Sequence, residues 1–132
     1  MGRGKDPKQY DAFIQAVVND LQIDEVKVSW RATLRKNVAG SAYRNTKTIR
    51  ILKSMSRLET MKTLAHELRH IWQYQTGIFP SGNVWDGITY DRNDIKRGNI
   101  PDKYYEQPWE NDAKAYAEEA VKRFVKEVKE VK

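Results

Sequence analysis

The only two histidines of the chain, His66 and His70, stand four residues apart, and Glu67 directly follows the first. The stretch Thr63-Leu64-Ala65-His66-Glu67-Leu68-Arg69-His70-Ile71-Trp72 therefore contains HExxH. On an α-helix, residues four apart lie one above the other, so both imidazoles can point at a single ion. Glu67 can then reach a water held at that ion without binding the ion itself. Two nitrogen ligands, an adjacent carboxylate and room for a third ligand and a water are the layout of zinc-assisted hydrolysis. The competing interpretation is a solvated helix face with two ordinary histidines. The flanking residues favour the first. Ser56-Arg57-Leu58-Glu59 has the capping-box pattern that opens a helix. Leu58, Met61, Leu64, Ala65, Leu68, Ile71 and Trp72 recur at helical spacing, and Gly77 suits the stop. The motif thus falls in the middle of a helix from Arg57 to about Gln75.

A chain of 132 residues suits one domain with a core of its own. With no cysteine it has no disulfide framework, no zinc finger and no cysteine nucleophile. No stretch is apolar enough to span a membrane and no hydrophobic signal region follows the basic start, so the expected location is intracellular and cytoplasmic, with no membrane partner. Four tryptophans and seven tyrosines argue for a packed domain rather than disorder. The net charge of +6 is uneven. Between Glu25 and Glu59 there is no acid, while Lys27, Arg31, Arg35, Lys36, Arg44, Lys47, Arg50, Lys53 and Arg57 all fall there. This basic 26–58 segment suits weak contact with nucleic acid or an acidic partner, or is a solvated face of a small sheet.

Asp6-Pro7 reads as an N-cap followed by proline at the first helical position, with Gln9 completing a capping box. Tyr10, Phe13, Ile14, Val17, Val18 and Leu21 then give an amphipathic helix from Pro7 to about Leu21. Val26-Lys27-Val28-Ser29-Trp30 alternates, as a strand with Val26, Val28 and Trp30 inward does. Ala39 to Tyr43 and Thr48 to Leu52 read as two more strands joined by the turn Arg44-Asn45-Thr46-Lys47, and Gly40 marks a weak or closely approached strand. Residues 77–107 are expected to be irregular, with Phe79, Trp85, Tyr90, Tyr104 and Tyr105 either walling a cleft or, for most of them, packing. From Pro108 to the end the chain reads as helical, with Ala113, Ala117, Val121, Phe124, Val128 and Val131 as its apolar stripe. The expected fold is α+β and zincin-like: an N-terminal helix, a small antiparallel sheet, the HExxH active-site helix and a C-terminal helix bearing the third ligand.

A catalytic zinc takes three protein ligands and a water. HExxHxxGxxH is excluded, because Gln73 and Thr76 stand where its glycine and third histidine would be. The third ligand must be a carboxylate. Glu59 is about two helical turns before His66, roughly 10 Å along the axis, too far to share the ion. Glu106, Glu110, Asp112, Asp86, Asp91 and Asp94 remain. Glu110 is selected because Ala113 and Ala117 share its helix face, and small residues there let this helix approach the motif helix. Glu106 is next in line, and an ordinary first-turn acid is the alternative for Glu110.

His66-Glu67-Leu68-Arg69-His70 followed by Glu110-x-x-Ala113-x-x-x-Ala117 resembles the gluzincins, zinc metallopeptidases whose third ligand is a glutamate on a following helix. The compact size resembles the minigluzincin type. Tyr104-Tyr105-Glu106-Gln107-Pro108-Trp109-Glu110 is similar to small phage- and prophage-associated HExxH metallopeptidases. The resemblance covers roughly residues 26–124. It implies zinc on His66, His70 and Glu110, Glu67 as general base and acid, and the strand Gly40, Ser41, Ala42, Tyr43 as the one that aligns a peptide or protein substrate. Many gluzincins carry Asp four residues after the ligand glutamate, supporting a histidine; here Lys114 stands there, so that partner must come from elsewhere. Larger gluzincins use a His or Tyr for the oxyanion, which leaves Tyr104, Tyr105 and Tyr116 as candidates.

The expected activity is zinc-dependent hydrolysis of peptide bonds, with Glu67 taking a proton from the zinc-held water and passing it to the leaving amine. Two other readings keep their place. One is a regulatory protease of a phage or mobile element specific for one protein, resembling the ImmA/IrrE type. The other is a basic nucleic-acid- or protein-binding module with structural or vestigial zinc.

Overall fold

The computed structural model describes residues 6–80, 84–89 and 107–128. Its centre is the helix α2 (Arg57–Thr76). The Ser56 hydroxyl accepts from the Glu59 N–H at 3.2 Å and donates to the Glu59 carboxylate at 3.0 Å. Gly77, at φ 82°, closes the helix in a left-handed conformation that a Cβ would strain. Leu64, Ala65 and Leu68 are fully buried, and Met61 and Ile71 nearly so. Leu58, expected on this face, is 51% exposed because it stands in the first turn, ahead of the first buried residue, Thr60.

At the N-terminal end, the Asp6 side chain accepts from the Lys8 N–H at 2.9 Å. Pro7 opens a 3-10 turn (Pro7–Tyr10) that runs into α1 (Asp11–Leu21). Phe13, Val17 and Leu21 are its buried stripe, each contributing about 1.5–3 kcal/mol by leaving water. Tyr10 stacks on Trp30 with ring centroids 5.6 Å apart, joining this turn to the sheet.

Three strands form that sheet: β1 (Lys27–Arg31), β2 (Gly40–Tyr43) and β3 (Thr48–Leu52), in the order β1-β3-β2. β2 and β3 are the expected hairpin, paired antiparallel from Gly40↔Ile51 to Tyr43↔Thr48. β1 pairs with β3 in parallel, Lys27↔Thr48 to Arg31↔Leu52, so the sheet is mixed and not antiparallel throughout as expected. The reason is the segment 32–39, which carries the chain past one strand position. β2 lands on the far edge and the hairpin returns β3 to the middle. Ile49 and Ile51 of β3 face the core with no exposure. Lys27, Arg31 and Arg50 are exposed, and Arg50 lies over the Tyr43 ring at 4.7 Å.

Beyond Gly77, the stretch expected to be irregular contains a small hairpin, β4 (Val84–Trp85) and β5 (Ile88–Thr89). Asp86 and Gly87 connect them with φ of 51° and 81°, the paired positive values of a tight primed turn. Phe79 is buried, stacked on Trp109 at 4.6 Å with Trp85 edge-on at 6.2 Å, so these aromatics pack. Arg44, at the tip of the β2–β3 hairpin, donates to the Phe79 carbonyl and covers the Tyr74 ring at 4.1 Å.

The last helix, α3 (Pro108–Phe124), stops earlier than expected; a 3-10 turn (Val125–Glu127) follows. Ala113, Ala117 and Ala120 are buried against α2, the helix with which α3 makes its largest contact. Val121, Phe124 and Val128 pack partly on the core, and Val131 lies outside the described residues. No described helix is long and apolar enough to cross a membrane.

Candidate metal centre

The helical spacing puts the rings of His66 and His70 4.9 Å apart and nearly perpendicular, at 80°. The alanine face of α3 brings the first turn of that helix against them. Glu110 Oε1 lies 2.9 Å from His66 Nε2 and 3.4 Å from His70 Nε2. One ligand atom from each of the three side chains falls within 4.8 Å of the others. In a tetrahedral zinc site, with metal–ligand distances of about 2.0–2.1 Å, ligand atoms stand about 3.3–3.4 Å apart. The His70–Glu110 separation of 3.4 Å matches that edge, and the His66–Glu110 separation is slightly tighter. Two imidazole nitrogens and a carboxylate oxygen are a donor set that suits zinc. The residues thus fit a divalent ion.

The charge of Glu110 agrees with that fit. Hydrogen bonding to His66, then to His70, holds the Glu110 carboxyl far below the usual carboxylate range, so it is an anion ready to bind a cation. For His70, burial pulls proton affinity down, but the hydrogen bond and charge of Glu110 outweigh it and the net direction is up. Glu67 is 8% exposed, and burial raises its pKa against the lowering effects of His70 and His66. A carboxylate with raised proton affinity is the better base at neutral pH.

The polar partner of His70 comes from α2 itself. His70 Nδ1 is 2.8 Å from Gln73 Oε1, and Gln73 has no exposure. The Gln73 amide donates at 2.9 Å to both the Trp109 carbonyl and Asp112 Oδ2. Arg69 grips the Asp112 carboxylate through Nε at 2.7 Å and Nη2 at 3.1 Å. Asp112, a candidate third ligand by sequence, is thereby turned to Arg69 and Gln73 instead of the histidines. A glutamine three residues after a ligand histidine shares its helix face, and that spacing was the available signal.

β2 lies across Glu67. A Cβ placed on Gly40 would meet Thr63 Cγ2 at 2.6 Å and Glu67 Cγ and the Arg50 carbonyl oxygen at 3.2 Å. Gly40 is therefore the point where strand and helix backbones approach, as the sequence suggested. We expect Gly40→Ala to destabilise the fold by about 1–3 kcal/mol through overpacking, read as a lower urea midpoint. A variant as stable as wild type would show that Thr63 and Glu67 move aside freely. Beside this contact opens a cleft of about 440 Å³, lined by Gly40, Thr63, His66, Glu67 and Ala117 among others.

Of the other sequence candidates, Ser41, Ala42 and Tyr43 continue the edge strand β2 from Gly40. Asp86 is in the β4–β5 turn. Tyr104, Tyr105, Glu106, Asp91 and Asp94 lie outside the described residues. The Tyr116 hydroxyl donates to Asp20 Oδ2 on α1 at 2.7 Å. Tyr74, which the sequence reading did not single out, stacks nearly parallel to His70, with centroids 6.3 Å apart. Burial raises its phenol, and the charges of Glu67 and Glu110 raise it further against Arg44.

An α+β chain with HExxH on its central helix and a glutamate supplied by the next helix is a small zinc metallopeptidase-like protein. A family profile described as SprT-like family matches residues 8–104, and the chain belongs to this minigluzincin-type family. The match includes His66, Glu67 and His70 and ends before Glu110. No curated protein and no solved structure matches the chain.

Proposed function

We propose that the chain is a zinc-dependent peptidase. The observation that carries this is the buried Glu67 set beside a His66, His70 and Glu110 cluster, under an edge strand and open to a cleft. An ion held by those three residues supplies Lewis acidity to a water and a carbonyl oxygen. Glu67 accepts the proton that the attacking water releases as the C–O bond forms. It returns that proton to the amide nitrogen as the C–N bond breaks. The edge of β2, from Gly40 to Tyr43, pairs with an extended peptide by main-chain hydrogen bonds and presents its carbonyl to the site. Tyr74 joins Tyr104 and Tyr105 as a phenol to test for oxyanion stabilisation, whereas the Tyr116 hydroxyl is taken up by Asp20.

The test is cleavage of an unfolded protein by the chain stripped of metal and reloaded with zinc. We expect cleavage only in the reloaded state. Zinc uptake with no cleavage of any unfolded substrate would overturn a general peptidase and leave the regulatory protease with a single protein target. A second reading of the surface is supported by the exposed Lys27, Arg31 and Arg50 and by the stacked Tyr43. This face holds phosphate-bearing polymers through a salt-dependent contact. Binding of single-stranded nucleic acid that weakens steeply with salt, with or without zinc, would separate that property from hydrolysis.

A further inference from the structure

Gln73 touches both helices that supply ligands. Its amide is fully buried, and its three polar contacts lie between 2.8 and 2.9 Å. The orientation of that amide is decided by its surroundings. On the α3 side it faces the Trp109 carbonyl and the Asp112 carboxylate, which only accept. Arg69 holds Asp112 ionised and oriented, with two bonds to its carboxylate. Its guanidinium lies 3.7 Å over the Trp72 ring, which keeps the clamp itself in place. The NH2 end of Gln73 must therefore point at α3, which leaves the carbonyl for His70 Nδ1. Turned the other way, the carbonyl would meet two acceptors in a buried space, at a cost of unsatisfied groups on both sides.

A carbonyl at Nδ1 requires the proton there. It leaves Nε2, the nitrogen facing Glu110, with its lone pair free in the neutral ring. Trp109 and Asp112 flank Glu110 in the first turn of α3, so the same amide also sets where Glu110 stands. We propose that Gln73 is the positioning residue of the metal centre: it fixes the tautomer and orientation of His70 and locks the Glu110 turn to α2. This rests on the metal-binding reading given above.

The choice of an amide follows from the charges. Glu67 and Glu110 already place two carboxylates at the site, and Asp112 is a third nearby. A carboxylate at position 73 would accept from His70 but would oppose Asp112 and the Trp109 carbonyl. Only a group that accepts at one end and donates twice at the other satisfies all three neighbours.

Two measurements test this. The first is zinc affinity by competition with a chromophoric chelator, for wild type, Gln73→Met and Gln73→Glu. Methionine keeps the unbranched shape without the hydrogen bonds. We expect both variants to bind zinc about 10–100-fold more weakly, with glutamate giving no rescue. Binding by Gln73→Met within about twofold of wild type would overturn the proposal, as would full rescue by Gln73→Glu. The second measurement uses metal-free Glu110→Ala, which lacks the acceptor facing Nε2, at a pH where the imidazoles are neutral. Nitrogen-15 correlation spectra should show the His70 proton on Nδ1 and its movement to Nε2 when Gln73→Met is added. A proton on Nε2 in both would overturn the assigned role. Because this second measurement needs no metal, a wild type that binds no zinc sinks the metal reading without deciding the role of Gln73.

Discussion

Glu67→Gln is expected to hold zinc as wild type does and to lose peptide hydrolysis by a factor of about 10²–10⁴, the range supplied by a positioned acid–base group. The substitution keeps the size of the side chain and its place beneath Gly40. It removes the ability to take a proton from water. Glu67 is not in the His66, His70 and Glu110 cluster, so metal content should not change. The check is metal per chain by mass spectrometry beside initial rates on an unfolded substrate. Undiminished rates in a zinc-loaded variant would remove Glu67 from the base role. Loss of both zinc and rate would show that Glu67 helps to hold the ion.

Glu110→Ala is expected to weaken zinc binding by more than the roughly 10–100-fold typical of losing an outer partner of a ligand. The carboxylate is a direct neighbour of both imidazole nitrogens, at 2.9 and 3.4 Å. It is also strongly ionised, chiefly through its hydrogen bond to His66. Its removal leaves two nitrogen donors and no anion in the ligand set. Helix packing should survive, because Ala113, Ala117 and Ala120 make the buried contact with α2 and Glu110 sits one turn outside it. Chelator competition and a far-UV spectrum together check this. A variant with wild-type affinity would move the third ligand elsewhere, with Glu106 the next carboxylate to test.

The parts of the molecule that local chemistry fixes were legible in the sequence. The Ser56 cap, the Gly77 stop and the apolar spacing between them define α2 to within a residue. The small residues Ala113 and Ala117 pointed to Glu110 because close helix packing needs little side-chain volume at the contact. Sheet order was not legible. The Arg44-Asn45-Thr46-Lys47 turn ties β2 to β3, but nothing local states which of them β1 joins, and the parallel choice depends on the path of residues 32–39. The Asp86-Gly87 turn carried a hairpin signal, yet its two-residue strands are too short to show alternation. Gln73 had a helical spacing to His70, but its role depends on acceptors 36 and 39 residues further along the chain. Sequence periodicity does not report such distant partners.

His66 and Glu110 are 44 residues apart in sequence and on different helices. Whatever binds both recognises the folded chain and not the unfolded one, in which these groups are scattered. A ligand present at a thousand times its dissociation constant stabilises such a fold by about 4 kcal/mol, comparable with a disulfide closing a loop of similar length. In a chain without cysteine, a metal held by His66, His70 and Glu110 would double as a cross-link. Depletion of the metal would then remove activity and loosen the fold together, making the abundance of the protein in the cell depend on metal supply.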